Sequence, residues 1–258
     1  MSGRRARGAR RRLARSQHFL RNRELAADLV RAASVGTDDY VVDLGAGTGL
    51  LTAELARTAR RVLAVELDPY LAAGMRGRWR NVEVVEGDAT AVDLPDEPFR
   101  VVANLPFDRT NDLLRQLLDD PATPLTRADL IVAWGVALKR GVPWPSTFND
   151  VVWGALYSVS IERRLPRVAF APPPSVDAGV LVFRRRAMPL IPADAIPAYR
   201  AFVARGFRHG VSRVVSGRRA AGIAERGTTA RELDAHEWAE LFLHRQRRSR
   251  SARRRFRD

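Results

Sequence analysis

The apolar residues of this chain fall into short runs, separated by segments with helical spacing. Five of the runs are rich in β-branched residues and bounded by polar or turn-forming ones, as strands are. These candidate strands are Val41–Leu44, Val62–Glu66, Val82–Val85, Val101–Ala103 and Leu130–Trp134. The regular alternation of strand-like and helix-like segments predicts a mostly parallel sheet with helices on both faces.

Two further apolar runs, Val151–Ile161 and Ala178–Phe183, have no clear helix between them. We therefore expect them to pair as an antiparallel edge of the same sheet. Beyond Arg186 the pattern becomes helical. The sequence thus predicts an α/β fold with a seven-stranded, mostly parallel sheet and a small C-terminal helical domain.

A glycine-rich loop follows the first candidate strand. Gly45, Gly47 and Gly49 occupy alternate positions directly after Asp43-Leu44. Such glycines let the backbone turn sharply and let a ligand lie against it without a β-carbon in the way. The spacing is G-x-G-x-G, which differs from the G-x-G-x-x-G usual in dinucleotide sites.

Acidic residues end the next two candidate strands. Glu66 lies 21 residues after Gly45, a separation at which a carboxylate can bind a ribose diol. Asp88 follows the third strand and could accept a hydrogen bond from an adenine amino group. A tight turn with solvated acids is the alternative interpretation. The combination of loop and acids favours a nucleoside-containing ligand.

The clearest indication of a reaction is the segment Asn104-Leu105-Pro106-Phe107, directly after the fourth strand. An exocyclic adenine nitrogen is a poor nucleophile, because its lone pair is delocalised into the ring. The Asn104 amide oxygen and the Leu105 carbonyl could accept its two hydrogens, Pro106 could hold that carbonyl in place, and Phe107 could stack on the base. An ordinary strand end followed by a proline turn is the alternative.

Two other segments could complete such a site. Gln17, His18 and Leu20 precede the first helix, where an apolar pair can also serve only as a hydrophobic staple. Phe170 precedes three consecutive prolines, Pro172–Pro174. These prolines form a stiff loop that could hold the ring over the opposite face of an extruded base, or else a rigid connector into the last strand.

Composition and charge narrow the class of protein. The chain has 258 residues, no cysteine and a net charge of +15 at pH 7. Disulfides, thiolate catalysis and cysteine-based zinc sites are therefore excluded. Residues 1–15 and 245–258 each carry a charge of +7, and we expect both to be disordered ends that bind phosphate backbones. No apolar run has membrane-spanning length and no secretory signal is visible, so a cytoplasmic location is expected.

A further basic segment lies in the C-terminal helical region. Residues 199–219 contain no acidic residue, and Phe202 and Phe207 lie among their arginines. A solvated helix face is one explanation, but uncompensated charge beside aromatic rings favours an RNA-docking surface. The predicted RNA-binding residues are Arg200, Arg205, Arg208, Arg213, Arg218 and Arg219.

From Gln17 to about Arg186, these motifs in this order resemble the Erm group of large-subunit rRNA adenine N6-methyltransferases, which share their fold with the small-subunit KsgA type. The resemblance implies a class I, Rossmann-like methyltransferase with S-adenosyl-L-methionine as cofactor. It implies methylation of one adenine in 23S rRNA, before ribosome assembly is complete, and resistance to macrolides, lincosamides and streptogramin B. Because a sulfonium is already an activated leaving group, we expect no metal. Nothing in the sequence suggests an obligate dimer, so a monomer is expected.

The resemblance assigns roles by position. It assigns methyl transfer to Asn104, Leu105, Pro106, Phe107 and Phe170. It assigns cofactor binding to Gln17, His18, Leu20, Gly45, Gly47, Glu66, Leu67, Asp88, Ala89 and Asn104. The implied organisation is a basic arm at 1–15, a methyltransferase domain at 16–187, a helical RNA-binding domain at 188–244 and a basic tail at 245–258.

Two departures from the family pattern bear on substrate efficiency. Gly135 stands where an acid is common, and Asp108–Asn111 is an unusual continuation of the catalytic motif. Two other functions stay open at this stage. One is a KsgA-like 16S rRNA dimethyltransferase of ribosome assembly, and the other is a catalytically silent RNA-binding homologue.

Overall fold

A seven-stranded sheet forms the centre of the computed structural model, which describes residues 18–141, 147–214 and 229–254, with side chains through residue 247. Its strands are β2 (Tyr40–Leu44), β3 (Arg61–Glu66), β4 (Val82–Glu86), β5 (Phe99–Asn104), β6 (Leu125–Ala133), β7 (Tyr157–Leu165) and β9 (Ala178–Arg185). They lie in the order β4-β3-β2-β5-β6-β9-β7. All neighbours from β4 to β6 pair in parallel, which confirms the predicted α/β fold.

The central strands are apolar along their whole length because helices cover both faces of a parallel sheet. Every residue of β2 is buried. The predicted positions of β2 to β5 are correct to within two residues at each end. Strand β6 begins five residues before the predicted Leu130, and Trp134, predicted as its last residue, instead begins a helix.

The prediction of one strand over Val151–Ile161 is wrong in its first half. Phe148–Gly154 is a helix, α6, and the strand begins only at Tyr157. A capping box starts this helix: the Thr147 side chain accepts from the Asp150 backbone N–H, and the Asp150 side chain accepts from that of Thr147. The box satisfies N–H groups that the first turn leaves unpaired, so a run of valines becomes helical here.

Strand β7 and strand β9 pair at the sheet edge with opposite directions. The Ser158 hydroxyl, near the start of β7, donates to the Arg184 carbonyl near the end of β9. The Arg164 side chain, near the end of β7, pairs with Asp177 just before β9. Contacts between opposite ends are what an antiparallel pair requires, as expected from the sequence.

Helices connect the strands and fix where the loops at the sheet edge begin. They are α1 (Arg23–Ala32), α2 (Leu50–Thr58), α3 (Pro69–Met75), α4 (Thr110–Leu118) and α5 (Trp134–Arg140). Asn22 caps α1 by accepting from the Leu25 N–H, and Asp68 caps α3 by accepting from Tyr70 and Leu71. Because α2 and α3 start directly after β2 and β3, their first turns lie at the carboxyl edge of the sheet.

The C-terminal region is helical, with α7 (Ile196–His209) and α8 (Ala235–Arg254) as its main helices. Aromatic side chains hold the two together: the ring centroids of Tyr199 and Phe242 lie 5.3 Å apart, and those of Phe202 and Trp238 lie 5.9 Å apart. Among the described helices, none is long and apolar enough to cross a membrane.

The chain forms two compact units. One comprises the chain through Leu138 together with Ser160–Phe183, and the other comprises Lys139–Val159 and the chain from Arg184 onward. The predicted boundary after residue 187 lies close to one of these divisions, but Lys139–Val159 belongs with the second unit because α6 packs on α7 and α8. Helix α8 runs to Arg254, so the predicted disorder from residue 245 is wrong as far as that residue. Residues 1–15 lie outside the described ranges.

Candidate active site

The glycine loop joins β2 to α2 at the carboxyl edge of the sheet. All three glycines have positive φ, 78° at Gly45, 58° at Gly47 and 79° at Gly49, values that other residues rarely adopt. Gly47 also has no space for a side chain, since a β-carbon there would lie 2.7 Å from the Phe19 ring. The Gly45 N–H donates to the Val65 carbonyl at 2.8 Å, which holds the loop against β3.

Glu66 ends β3 directly beneath the loop. Its side chain is buried, and its two carboxylate oxygens accept from the backbone N–H groups of Gly47 at 2.7 Å and Asp68 at 2.8 Å. Each oxygen retains a second lone pair. The carboxylate is therefore fixed in orientation and still able to accept hydrogen bonds from a diol. Leu67, the next residue, is 45% exposed.

Asp43, which precedes the loop, is buried and only half paired. One carboxylate oxygen accepts from the Thr52 hydroxyl at 2.7 Å, while Oδ1 has no hydrogen-bond partner among the described residues. Burial raises the pKa of Asp43 to about 7, the Thr52 hydrogen bond opposes this shift, and the charge of Glu66 adds to it. The bond from Thr52 ties the end of β2 to the first turn of α2.

Asp88 lies in the loop after β4 and is exposed. Its Oδ1 accepts from both the backbone N–H of Thr90 at 2.9 Å and the Thr90 hydroxyl at 2.7 Å. These two bonds, followed by the charge of Arg109, lower the pKa of Asp88 despite an opposing effect of burial. The group is thus an ionised acceptor, with the half-buried Ala89 beside it.

Asn104 ends β5, and its amide has one satisfied and one unsatisfied end. The amide nitrogen donates to the His18 carbonyl at 2.7 Å, and because a carbonyl can only accept, this bond sets which way the amide is turned. Oδ1 is buried and has no partner in the described part of the chain. The next residue, Leu105, donates its N–H to the Ile131 carbonyl on β6 at 3.1 Å.

The turn after Asn104 is closed by its own backbone. The Pro106 carbonyl accepts from the Arg109 N–H at 3.0 Å and from the Thr110 hydroxyl at 3.1 Å. On the other side, the Pro106 ring approaches Gly45 so closely that a β-carbon there would lie 3.3 Å away. The proline turn and the glycine loop are therefore in direct contact, with the half-buried Phe107 ring beside them.

A second, two-stranded sheet brings the segments around His18 and Phe170 to the same place. Strand β1 (Phe19–Leu20) pairs antiparallel with β8 (Phe170–Ala171), so that Leu20 faces Phe170. The His18 ring approaches the Pro172 carbonyl at 2.9 Å and lies 5.7 Å from the Phe107 ring. The sequence pattern gave no sign that these two segments contact each other. In the structure they pair and together line one side of the site.

Phe170 does not have the exposed face that the predicted stacking on a base requires. Its side chain is fully buried in the core with Leu20. Its ring meets the Phe107 ring nearly edge-on, with centroids 6.5 Å apart and planes at 73°. The pairing of β1 with β8 turns the Phe170 side chain into the core. In this structure Phe170 thus packs against the Phe107 ring from the core side.

The remaining predicted residues are distributed as follows. Gln17, Arg218 and Arg219 lie outside the described residues. Arg205, Arg208 and Arg213 are exposed, while half-buried Arg200 lies over the Phe148 ring, 5.6 Å from its centroid. Gly135 is exposed on α5 with nothing close to the position of an added β-carbon.

Sequence reasoning missed the residues that hold the acids in place. Thr52 and Thr90 donate to Asp43 and Asp88, and Arg109 in turn donates to the Thr90 hydroxyl at 2.9 Å. The one available sequence signal was the short separation between donor and acid, nine residues from Asp43 to Thr52 and two from Asp88 to Thr90. Within the described ranges, no cluster of His, Asp and Glu could hold a metal ion.

Comparison with known proteins identifies a family to which this chain is similar. Residues 8–213 match the family model described as ribosomal RNA adenine dimethylase. An rRNA adenine N-6-methyltransferase from Corynebacterium diphtheriae is 36% identical over 189 residues, 72% of this chain and 74% of that protein. The mycinamicin-resistance protein MyrB from Micromonospora griseorubida is 33% identical over 221 residues, 85% of this chain and 68% of that protein.

A solved structure agrees with these relatives. The crystal structure of the 23S rRNA methyltransferase ErmE is similar with a TM-score of 0.76 and 28% identity, over 87% of this chain and 98% of that one. The family model, the relatives and the fold therefore agree on one family. The chain belongs to the ribosomal RNA adenine dimethylase family, and it is an rRNA adenine N6-methyltransferase of the Erm type.

Proposed function

We propose that this enzyme transfers a methyl group from S-adenosyl-L-methionine to N6 of one adenine in 23S rRNA, and that it thereby gives resistance to macrolides, lincosamides and streptogramin B. The named target of ErmE and the named resistance of MyrB support this choice. The observation that carries the chemistry is the Asn104 amide, with its nitrogen bound to the His18 carbonyl and its buried oxygen unpartnered.

An unsatisfied buried oxygen is costly, so its persistence indicates a partner that arrives with the substrate. The amino group of adenine is such a partner. Asn104 Oδ1 would accept one N6 hydrogen and the Leu105 carbonyl the other, which turns the nitrogen lone pair out of conjugation and toward the methyl donor. Positioning of this kind, with no strong base, is sufficient where the leaving group is already activated.

The residues at the carboxyl edge fit the donor. S-adenosyl-L-methionine supplies, when bound, a sulfonium methyl group that is activated toward nucleophiles. Glu66 is held so that free lone pairs remain for a ribose diol, and Asp88 offers an ionised acceptor for the adenine amine. The buried, unpartnered Oδ1 of Asp43 beneath a loop of positive-φ glycines is consistent with a cationic ligand group nearby.

The target adenine would enter beside Phe107. Its ring is half-buried, is supported edge-on by Phe170 and lies next to His18, so one face can stack on an unstacked base. On transfer, N6 would bond to the methyl carbon as the carbon–sulfur bond of the donor breaks and its electron pair returns to sulfur, leaving a neutral thioether. N6 would then lose one proton to water. The exposed Arg205, Arg208 and Arg213 are proposed to contact phosphates, which position RNA without specifying its sequence.

A methyl-transfer assay tests the proposal. Donor labelled in the methyl group is incubated with unmodified 23S or 16S rRNA and the full chain. We expect label in 23S rRNA, at N6 of a single adenine. Label only in 16S rRNA would assign the enzyme to ribosome assembly, and label in neither would favour a silent RNA-binding protein. Monomeric state, cytoplasmic location and action before ribosome assembly is complete stay predictions.

Asn104→Ala tests the role of the amide within that assay. We expect methyl transfer to fall by about 100-fold or more, in the range seen when a key transition-state hydrogen bond is removed, with little change in RNA affinity. Arg115→Ala, which removes an exposed side chain on α4 outside the catalytic motif, is the control and should retain activity. Normal turnover by the Asn104 variant would refute the acceptor role.

A further inference from the structure

Arg109 occupies a distinctive place, because it belongs to the proline turn of the catalytic motif and contacts the acid loop after β4. Its backbone N–H closes the turn by donating to the Pro106 carbonyl at 3.0 Å. Its guanidinium donates to the Thr90 hydroxyl at 2.9 Å, and its Nη2 lies 3.6 Å from Oδ2 of Asp88. One residue thus connects the turn that would hold the target base to the acid that would hold the donor's adenine.

The contact with Thr90 has a direction. A hydroxyl group has one hydrogen to donate, and when it accepts from Arg109 that hydrogen is left for another acceptor. The acceptor is Oδ1 of Asp88, at 2.7 Å, which also receives the Thr90 backbone N–H. Oδ1 is therefore fully used, and Oδ2 is the oxygen that remains for a ligand.

The distance between Arg109 and Oδ2 of Asp88 decides whether that oxygen remains available to a ligand. At 3.6 Å the guanidinium lies beyond ordinary hydrogen-bond range of this oxygen, so it supplies charge without occupying the acceptor. An exposed ion pair of this length contributes little to stability. The position of the Arg109 guanidinium instead suits it to orient the Asp88 carboxylate through the Thr90 hydroxyl.

We infer that Arg109 is a positioning residue for the donor: through Thr90 it orients Asp88, so that Oδ2 accepts from the exocyclic amine of the donor's adenine. This inference rests on the proposed function. It also gives a role to the unusual continuation Asp108–Asn111, in which Arg109 lies. The alternative is that Arg109 serves only the start of α4, where its Nε lies 3.5 Å from the Asp112 carboxylate.

Two product analogues separate these roles. S-adenosylhomocysteine carries the 6-amino group, whereas its 6-deamino analogue, with unsubstituted purine as the base, has only hydrogen at that position and keeps N1 as an acceptor. The ratio of their dissociation constants, measured by calorimetry on the full chain, reports the contact with Asp88 specifically. A hydrogen bond to a charged group makes the expected preference of the unmodified enzyme for the amine about 10-fold or more.

The variants then give distinct expectations. Asp88→Ala should abolish the preference. Arg109→Ala and Thr90→Val should each reduce it about threefold or more, with no further loss when the two are combined, because they interrupt one relay. Thr90→Ser keeps the hydroxyl and should restore the preference. Arg115→Ala, which removes an exposed arginine from α4, the helix that Arg109 precedes, should leave the ratio unchanged.

The outcomes that overturn the inference are equally distinct. If Arg109→Ala weakens both analogues by the same factor, its role is structural and the inference fails. An unchanged ratio in Arg109→Ala also refutes it. If the unmodified chain binds neither analogue, the proposed function itself fails. Binding of both analogues without any preference would instead remove Asp88 from the adenine site.

Discussion

Replacing Asp43 with asparagine should stabilise the ligand-free protein, and the gain should grow with pH. Burial raises the pKa of Asp43 from its ordinary value of 3.8 to about 7. The folded chain therefore keeps a proton that the unfolded chain releases, and stability falls as pH rises from about 4 to about 7 before levelling off. At about 1.4 kcal/mol per pKa unit, this cost reaches roughly 4 kcal/mol above pH 7 and about 1.5 kcal/mol at pH 5.

Asparagine carries no charge, and its amide oxygen can accept the same bond from Thr52. Urea unfolding of both proteins at about pH 5 and about pH 8 should therefore show the advantage of Asp43→Asn growing by roughly 2.5 kcal/mol. Asp38→Asn, which changes an exposed aspartate five residues earlier, is the matched control, and its effect should be the same at both values. An advantage of Asp43→Asn that does not change with pH would refute the reasoning.

Two further predictions concern the second unit and the basic arm. Gly206→Ala should destabilise the protein by about 1–3 kcal/mol, since an added β-carbon would collide with the Trp238 ring; Gly135→Ala, where nothing lies nearby, is the control, and equal midpoints in urea would contradict the prediction. Deleting residues 1–15, which carry seven arginines, should reduce the slope of log affinity for RNA against log salt by up to about 5. A slope equal to that of the full chain would show that the arm makes no phosphate contacts.

The fold was predictable from sequence wherever one segment carried its own signal. The apolar strands β2 to β5 and the glycine loop are determined by local sequence pattern, and in the structure they lie at the positions predicted from that pattern. The helix α6 was misread because Val151 and Val152 favour strands, although Thr147 and Asp150 formed a visible capping pair. The capping box and the packing against α7 and α8 together outweighed the strand preference of the two valines.

The site was predictable only as a set of residue types. Spacing placed Glu66, Asp88 and Asn104 at the ends of three strands that are consecutive in the chain, and the parallel topology brings those ends to one edge of the sheet. Nothing local could show that the Arg109 side chain reaches Thr90 or that Phe170 turns inward, since both follow from contacts between segments distant in sequence.

The pairing of β1 with β8 has a consequence for biosynthesis. The carbonyl that immobilises Asn104 belongs to His18, and His18 is itself held by a contact with Pro172, 154 positions later. A nascent polypeptide that has emerged only through β6 contains the whole donor crevice yet lacks the strand that closes it. We therefore expect the enzyme to acquire competence late in translation, after the proline segment has left the exit tunnel, and C-terminal truncations ending before Phe170 to bind donor poorly even where the parallel strands have formed.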